Sequence, residues 1–140
     1  MAIAYLFDSK HKVLLVRFEG ALTQQAIEAL WPAARAFAAI HGNCPGIIDL
    51  SAVGRIEVDL EALRAFGRRP RVMAGAQRVL VAPGDDMFGT VRMYGLQQSS
   101  AIDDEPMVVR SLQEAYDLLG LTDPDFQPIA LAGGSSDPAG

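Results

Sequence analysis

The sequence is short of the residues from which most catalytic and metal centres are built. Cys44 is its only cysteine, which excludes an internal disulfide and any multi-cysteine zinc site, and suits a reducing compartment. The two histidines, His11 and His41, each lack a second histidine or cysteine at ligand spacing, so neither a metal nor another cofactor is expected. Lysine is confined to Lys10 and Lys12, and the formal net charge is −5. That leaves no basic face broad enough to follow a phosphate backbone, and nucleic acid is not an expected partner. No apolar stretch approaches the ~20 residues of a membrane span, and the opening Met1-Ala2-Ile3-Ala4-Tyr5 lacks the basic segment that begins a secretory signal. A cytoplasmic protein is the expectation.

What is present is an ordinary globular composition, 50% hydrophobic and 21% charged over 140 residues, which suits one domain with one core. Ile3 to Phe7 and Val13 to Phe18 are rich in β-branched and aromatic side chains around a polar turn, which predicts a hairpin. Thr23 offers an N-cap, and Ile27, Leu30, Trp31, Ala34, Phe37 and Ala38 follow at helical spacing. Pro32 predicts a kink near Trp31. The short apolar runs Gly46 to Leu50 and Arg78 to Ala82 read as central strands covered on both faces. A second helix is expected from Asp59 to about Gly67, a third from Gly84 toward Gln98, a strand at Met107 to Arg110, and a fourth helix from the capping box Ser111-Leu112-Gln113-Glu114 to Gly120. The order β-β-α-β-α-β-α-β-α predicts an α/β fold with a mixed, mainly parallel five-stranded sheet and four helices. Residues 1–121 form the expected domain and 122–140 a tail, flexible or partly docked, in which only Ile129-Ala130-Leu131 is apolar enough to dock.

Several stretches invite a chemical reading. Gly84 to Thr90 has the glycine spacing of a phosphate-binding loop between a strand and a helix, but it lacks the lysine, and Asp85 and Asp86 stand where backbone donors would meet phosphate. An acidic helix start explains it better. Cys44 is either a reactive thiol or a small buried hydrophobe. Asp103-Asp104-Glu105 lacks the spacing of a cation loop. Arg64 and Arg68 share a helix face and, with Arg69 and Arg71, suit either an anion or the negative end of their own helix. No nucleophile, base and orienting group stand at recognisable spacing.

The strand Gly46 to Leu50, the run Asp49-Leu50-Ser51-Ala52-Val53 and the acidic helix start at Asp59 together resemble the STAS domain of anti-sigma factor antagonists, the SpoIIAA-like fold. Arg78 to Pro83, Phe88-Gly89 and Arg92-Met93-Tyr94 resemble the uncharacterised bacterial branch of that family rather than its signalling members. In signalling members a strand ending in Asp-Leu-Ser leads to an Asp-Ser-Ser-Gly segment that opens the next helix. Here the matching segment is Glu57-Val58-Asp59-Leu60, and the family's phosphorylated serine falls on Asp59. The resemblance implies a non-enzymatic regulatory domain that is not switched by serine phosphorylation at that place. An aspartate there is also a plain helix N-cap.

Two functional readings follow. In the first, an unknown protein partner docks on Ser51, Arg55, Glu57 and Asp59. In the second, which rests on a resemblance in winding to the lipid-carrying SEC14-like domains, a small apolar molecule or lipid occupies a pocket lined by Phe66, Met87, Phe88, Met93 and Tyr94. An enzyme of unrecognised type is a third. A homodimer is also open, through the hairpin edge or the Ile129–Leu131 segment.

Overall fold

The computed structural model describes residues 2–59, 61–62, 65, 76–98 and 107–130, with side chains omitted at 2 and 93–98. Strands β1 (Ala2–Asp8) and β2 (Val13–Thr23) form the expected hairpin, in register from Ala2↔Glu19 to Asp8↔Val13. Asp8 holds the turn. Its Oδ1 accepts the N–H groups of Lys10 at 2.9 Å and His11 at 3.2 Å, and its Oδ2 lies 2.7 Å from Nδ1 of His11. Burial is the largest single influence on this carboxyl and pushes its pKa up. The bonds from the His11 ring and from the His11 and Lys10 N–H groups, with the charge of His11, together outweigh it and hold Asp8 below the ordinary carboxylate range.

Thr23 caps the first helix as its position suggests, with Oγ1 accepting from the N–H of Ala26 at 3.2 Å. The helix breaks at Ala29, two residues before Trp31, giving α1 (Gln24–Glu28) and α2 (Leu30–His41). Proline at position 32 has no N–H for the carbonyl four residues back, Glu28, and its ring crowds that carbonyl, so the interruption appears one turn upstream of the proline. Pro32 itself sits in the first turn of α2, where a missing donor costs little. Gly42, with φ of 76°, closes α2.

Strand β3 (Gly46–Glu57) is much longer than the five residues expected from its apolar run. It pairs in parallel with β2 from Leu14↔Gly46 to Thr23↔Glu57, with irregularities between Arg17 and Glu19 and between Gly20 and Ala21. Gly20 takes φ of 90° there, a conformation that glycine adopts without a Cβ penalty. Strand β4 (Arg78–Val81) pairs only with the first part of β3, ending at Asp49↔Val81, and leads into α3 (Asp85–Gln98). Strand β5 (Met107–Val109) flanks β4 in parallel, and α4 (Leu112–Leu119) follows, capped by Ser111 and closed by left-handed Gly120. Between β3 and β4, Glu61, Ala62 and Ala65 are helical; the rest of the expected second helix lies outside the described residues.

Among the described residues the sheet has six strands, in the order β5-β4-β3-β2-β1-β6, where five were expected. The sixth, β6 (Gln127–Pro128), comes from the stretch expected to be a tail. It pairs antiparallel with Leu6 and Phe7 of β1, and the N–H of Ile129 donates to the Tyr5 carbonyl at 2.9 Å. The proline is tolerated because this is an edge strand. Part of the hairpin edge offered above as a dimer surface is therefore taken up within the chain.

Alternate residues of the strands feed two apolar layers, as a period of two requires. Leu14, Val16, Phe18, Leu50 and Leu80 pack with Ile27, Trp31 and Phe37 of the first helices and Val91 of α3. Val13, Leu15, Ile47, Val79 and Val81 pack with Ala115 and Leu121 on the α4 side.

Candidate interaction groove

The functional geometry follows from unequal strand lengths. Beyond Asp49 the chain of β3 continues to Glu57, while β4 has already ended at Val81 and turned through Pro83-Gly84 into α3. Among the described residues, no strand flanks β3 on that side from Ser51 onward. The result is a groove of about 680 Å³, with Ser51, Val53 and Arg55 on one wall and Gly84, Asp85, Asp86 and Met87 on the other. It lies at the carboxyl ends of parallel strands, where open α/β sheets place their ligands.

The floor of this region is anchored by a buried charge. Asp49 is 1% exposed and lies directly across from Arg17 in the β2–β3 register. Its Oδ2 accepts from Nε of Arg17 at 3.1 Å, and its Oδ1 accepts from the N–H of Ser51 at 3.0 Å and the Ser51 hydroxyl at 2.5 Å. A carboxylate in an otherwise apolar strand is tolerable because its acceptors are satisfied. Tyr116 of α4 feels both charges. Burial, chiefly, pushes its phenol pKa up; the Arg17 charge opposes this and the Asp49 charge adds to it.

The docking residues expected from the sequence fall on one run of chain. Ser51 and Arg55 line the groove. Glu57 lies at the end of β3, where its Oε1 accepts from Nε of Arg55 at 3.0 Å in an exposed pair. Asp59 follows the strand, and its Oδ1 accepts the N–H of Ala62 at 2.7 Å, the geometry of a helix N-cap.

The opposite wall was not foreseen as part of the same site. Asp85 and Asp86 read as an acidic helix start, and only the β3–β4 pairing brings them across from Arg55. Arg110, just after β5, holds that wall in place. It donates from Nη1 to the Pro83 carbonyl at 3.2 Å and to Oδ1 of Asp85 at 2.6 Å, with its guanidinium 4.0 Å from the centre of the Phe88 ring. The signal missed was this one arginine, in sequence only the last residue of a short strand.

Beneath the groove is a half-enclosed apolar cavity of about 60 Å³ lined by Leu22, Ile27, Leu30, Ile48, Leu80 and Val91. Leu50, Ile56 and Thr90 border both the cavity and the groove. This is less than half the ~150 Å³ of an apolar cavity that holds one benzene. Of the five residues expected above to line a ligand pocket, two are described with their side chains. Met87 lies on the groove and Phe88 under Arg110, while Phe66 and the side chains of Met93 and Tyr94 lie outside the described residues.

The remaining candidates have local roles or fall outside the described residues. Cys44 is buried, and burial, partly offset by a backbone hydrogen bond at Leu14, pushes its thiol pKa up, which favours the unreactive form. The His41 ring lies 4.7 Å from Phe7 and 4.6 Å from Phe37. Arg64, Arg68, Arg69, Arg71 and the Asp103-Asp104-Glu105 run lie outside the described residues. Among the described residues there is no cluster of three metal-ligating side chains, and no helix is long and apolar enough to cross a membrane.

No family model and no curated protein matches the chain. Among solved structures it is similar to that of the anti-sigma factor antagonist SpoIIAA in its unphosphorylated form, at 17% sequence identity and a TM-score of 0.52, covering 84% of this chain and 98% of the other. In fold, this chain is SpoIIAA-like.

Proposed function

We propose that this chain is a non-enzymatic regulatory domain that docks a protein partner on the groove between the end of β3 and the start of α3. The observation that carries this reading is the convergence of Ser51 and Arg55 with Asp85, Asp86 and Met87 around one open groove, with Glu57 and Asp59 continuing the same run. The groove combines a polar rim with an apolar floor, the make-up of a protein interface. The likeness in fold to an anti-sigma factor antagonist supports a regulatory role.

On the sequence resemblance, Asp59 falls where signalling STAS domains carry their phosphorylated serine, and a carboxylate cannot accept that phosphate from a protein kinase. It carries less charge and fewer acceptor oxygens than a phosphoserine, so it is an imperfect, permanent stand-in for one. The partner therefore binds without a phosphorylation step at this position. Affinity capture from lysate of the source cells tests the reading. An Arg55→Ala, Asp59→Ala double variant that remains folded by circular dichroism is expected to lose the partner recovered by the wild-type protein, and equal recovery by both would refute the docking surface.

A further inference from the structure

Two features of the groove constrain what fits it. The first is the flank of β3 that no described strand covers. A strand presents backbone N–H and C=O groups alternately to its two sides, and from Ser51 to Glu57 only the β2 side has a neighbouring strand among the described residues. Such an edge is a template for one more strand, and main-chain bonding along it supplies affinity whatever the partner's sequence.

The second is the combination of charge and cavity around that edge. Asp85, Asp86, Glu57 and Asp59 are all exposed, against the guanidinium groups of Arg55 and Arg110. Arg92 adds a third cation, 5.7 Å from the centre of the Phe88 ring; among the described residues the carboxylates still outnumber the cations, and Arg55 and Arg110 are each already bonded to one of them. The apolar cavity reaches the groove at Leu50, Ile56 and Thr90. At about 60 Å³ it suits two or three carbon atoms, given that ~150 Å³ holds the six of benzene.

We propose that the groove takes an extended, lysine- or arginine-bearing segment of a protein partner, which adds as a strand along Ser51–Glu57 of β3 and buries one valine-sized side chain in the cavity beneath. This rests on the docking reading above and specifies the partner's chemistry. The basic side chains meet Asp85 and Asp86 at the rim, and the aliphatic anchor displaces little or no water from a cavity that is almost wholly apolar.

The test uses the full chain and two pools of synthetic nine-residue peptides. In one, lysine alternates with valine or threonine around a central valine; in the other, glutamate replaces lysine. The Ser51 N–H is already bonded to Asp49, so hydrogen exchange of the free protein is expected to divide the remaining amides of this run, residues 52–57, into a slow set bonded to β2 and a fast set facing the groove. The basic pool is expected to slow the fast set at least ten-fold, and the acidic pool is expected to leave it unchanged. An Asp85→Asn, Asp86→Asn variant is expected to bind the basic pool about five-fold more weakly at low salt, with the difference shrinking as salt rises. Val91→Leu, which adds volume to the cavity wall, is expected to weaken a valine-centred peptide but not an alanine-centred one.

The proposal is overturned if no fast set exists, if the basic pool is not preferred, or if peptide binds without slowing residues 52–57. It fails separately from the docking reading. A lysate partner that depends on Arg55 and Asp59 but leaves the fast set unprotected keeps the docking surface and removes strand addition.

Discussion

Replacing Asp49 by alanine tests how far the β2–β3 core depends on one buried ion pair. The substitution removes the acceptor of three bonds, from Nε of Arg17 at 3.1 Å and from the N–H and hydroxyl of Ser51. Breaking a buried pair from one side costs about 3–5 kcal/mol. Here the Arg17 side chain is 34% exposed, so water can solvate the orphaned guanidinium, and the loss should sit at the lower end, about 3 kcal/mol. That is a large share of the 5–15 kcal/mol by which a domain is typically stable. At roughly 3–4 °C per kcal/mol for a chain of this size, the melting temperature should fall by about 10 °C. Asp49→Asn retains shape and one acceptor and should lose about half as much. The decisive variant is Arg17→Met, Asp49→Leu, which removes both charges and strands neither, while the exposed Ser51 groups that lose their acceptor turn to water. It should be within about 1 kcal/mol of wild type by urea denaturation. A double variant as unstable as Asp49→Ala, or an alanine variant that loses under 1 kcal/mol, would refute the account.

Two further substitutions probe the loops that frame the fold. The Asp8 carboxyl is held below its ordinary pKa, so its stabilising contribution is complete above the ordinary carboxylate value and disappears as pH falls through the lowered folded value. Asp8→Asn should therefore be less stable than wild type near pH 6, and the two urea midpoints should converge as the pH falls below the ordinary carboxylate range; a constant gap across that range would show that the charge contributes nothing. Arg110→Ala should cost about 1 kcal/mol through loss of its contacts with Asp85, the Pro83 carbonyl and the Phe88 face. Lysine should recover less than half of that, because an ammonium cannot span all three; full recovery by lysine in chemical denaturation would show that charge alone matters.

Much of the architecture was legible because its signals are local. The hairpin followed from β-branched and aromatic runs, and Thr23, Asp59 and Ser111 identified helix starts that their side chains cap in the structure. The length of β3 was not legible. Ser51, Ala52, Gly54 and Arg55 have little intrinsic preference for a strand, and they are held extended by pairing with the last part of β2. Residues 127–128 read as a tail for a similar reason. Two residues with a proline carry no periodic signal, and they form a strand only because the edge of β1 is available to them.

The candidate site divides along the same line. Sequence alone established the alternation of apolar runs and capped helices, the lack of a recognisable catalytic set, and the aspartate at the helix start after β3, since each depends on residues within a few positions of one another. Tertiary structure alone decided that Arg17 pairs with Asp49 across 32 positions, that Asp85 and Asp86 line the same groove as Arg55, and that an apolar cavity adjoins it. Those relations are set by strand register and by where one strand stops beside a longer neighbour, which are properties of the whole sheet and of no single segment.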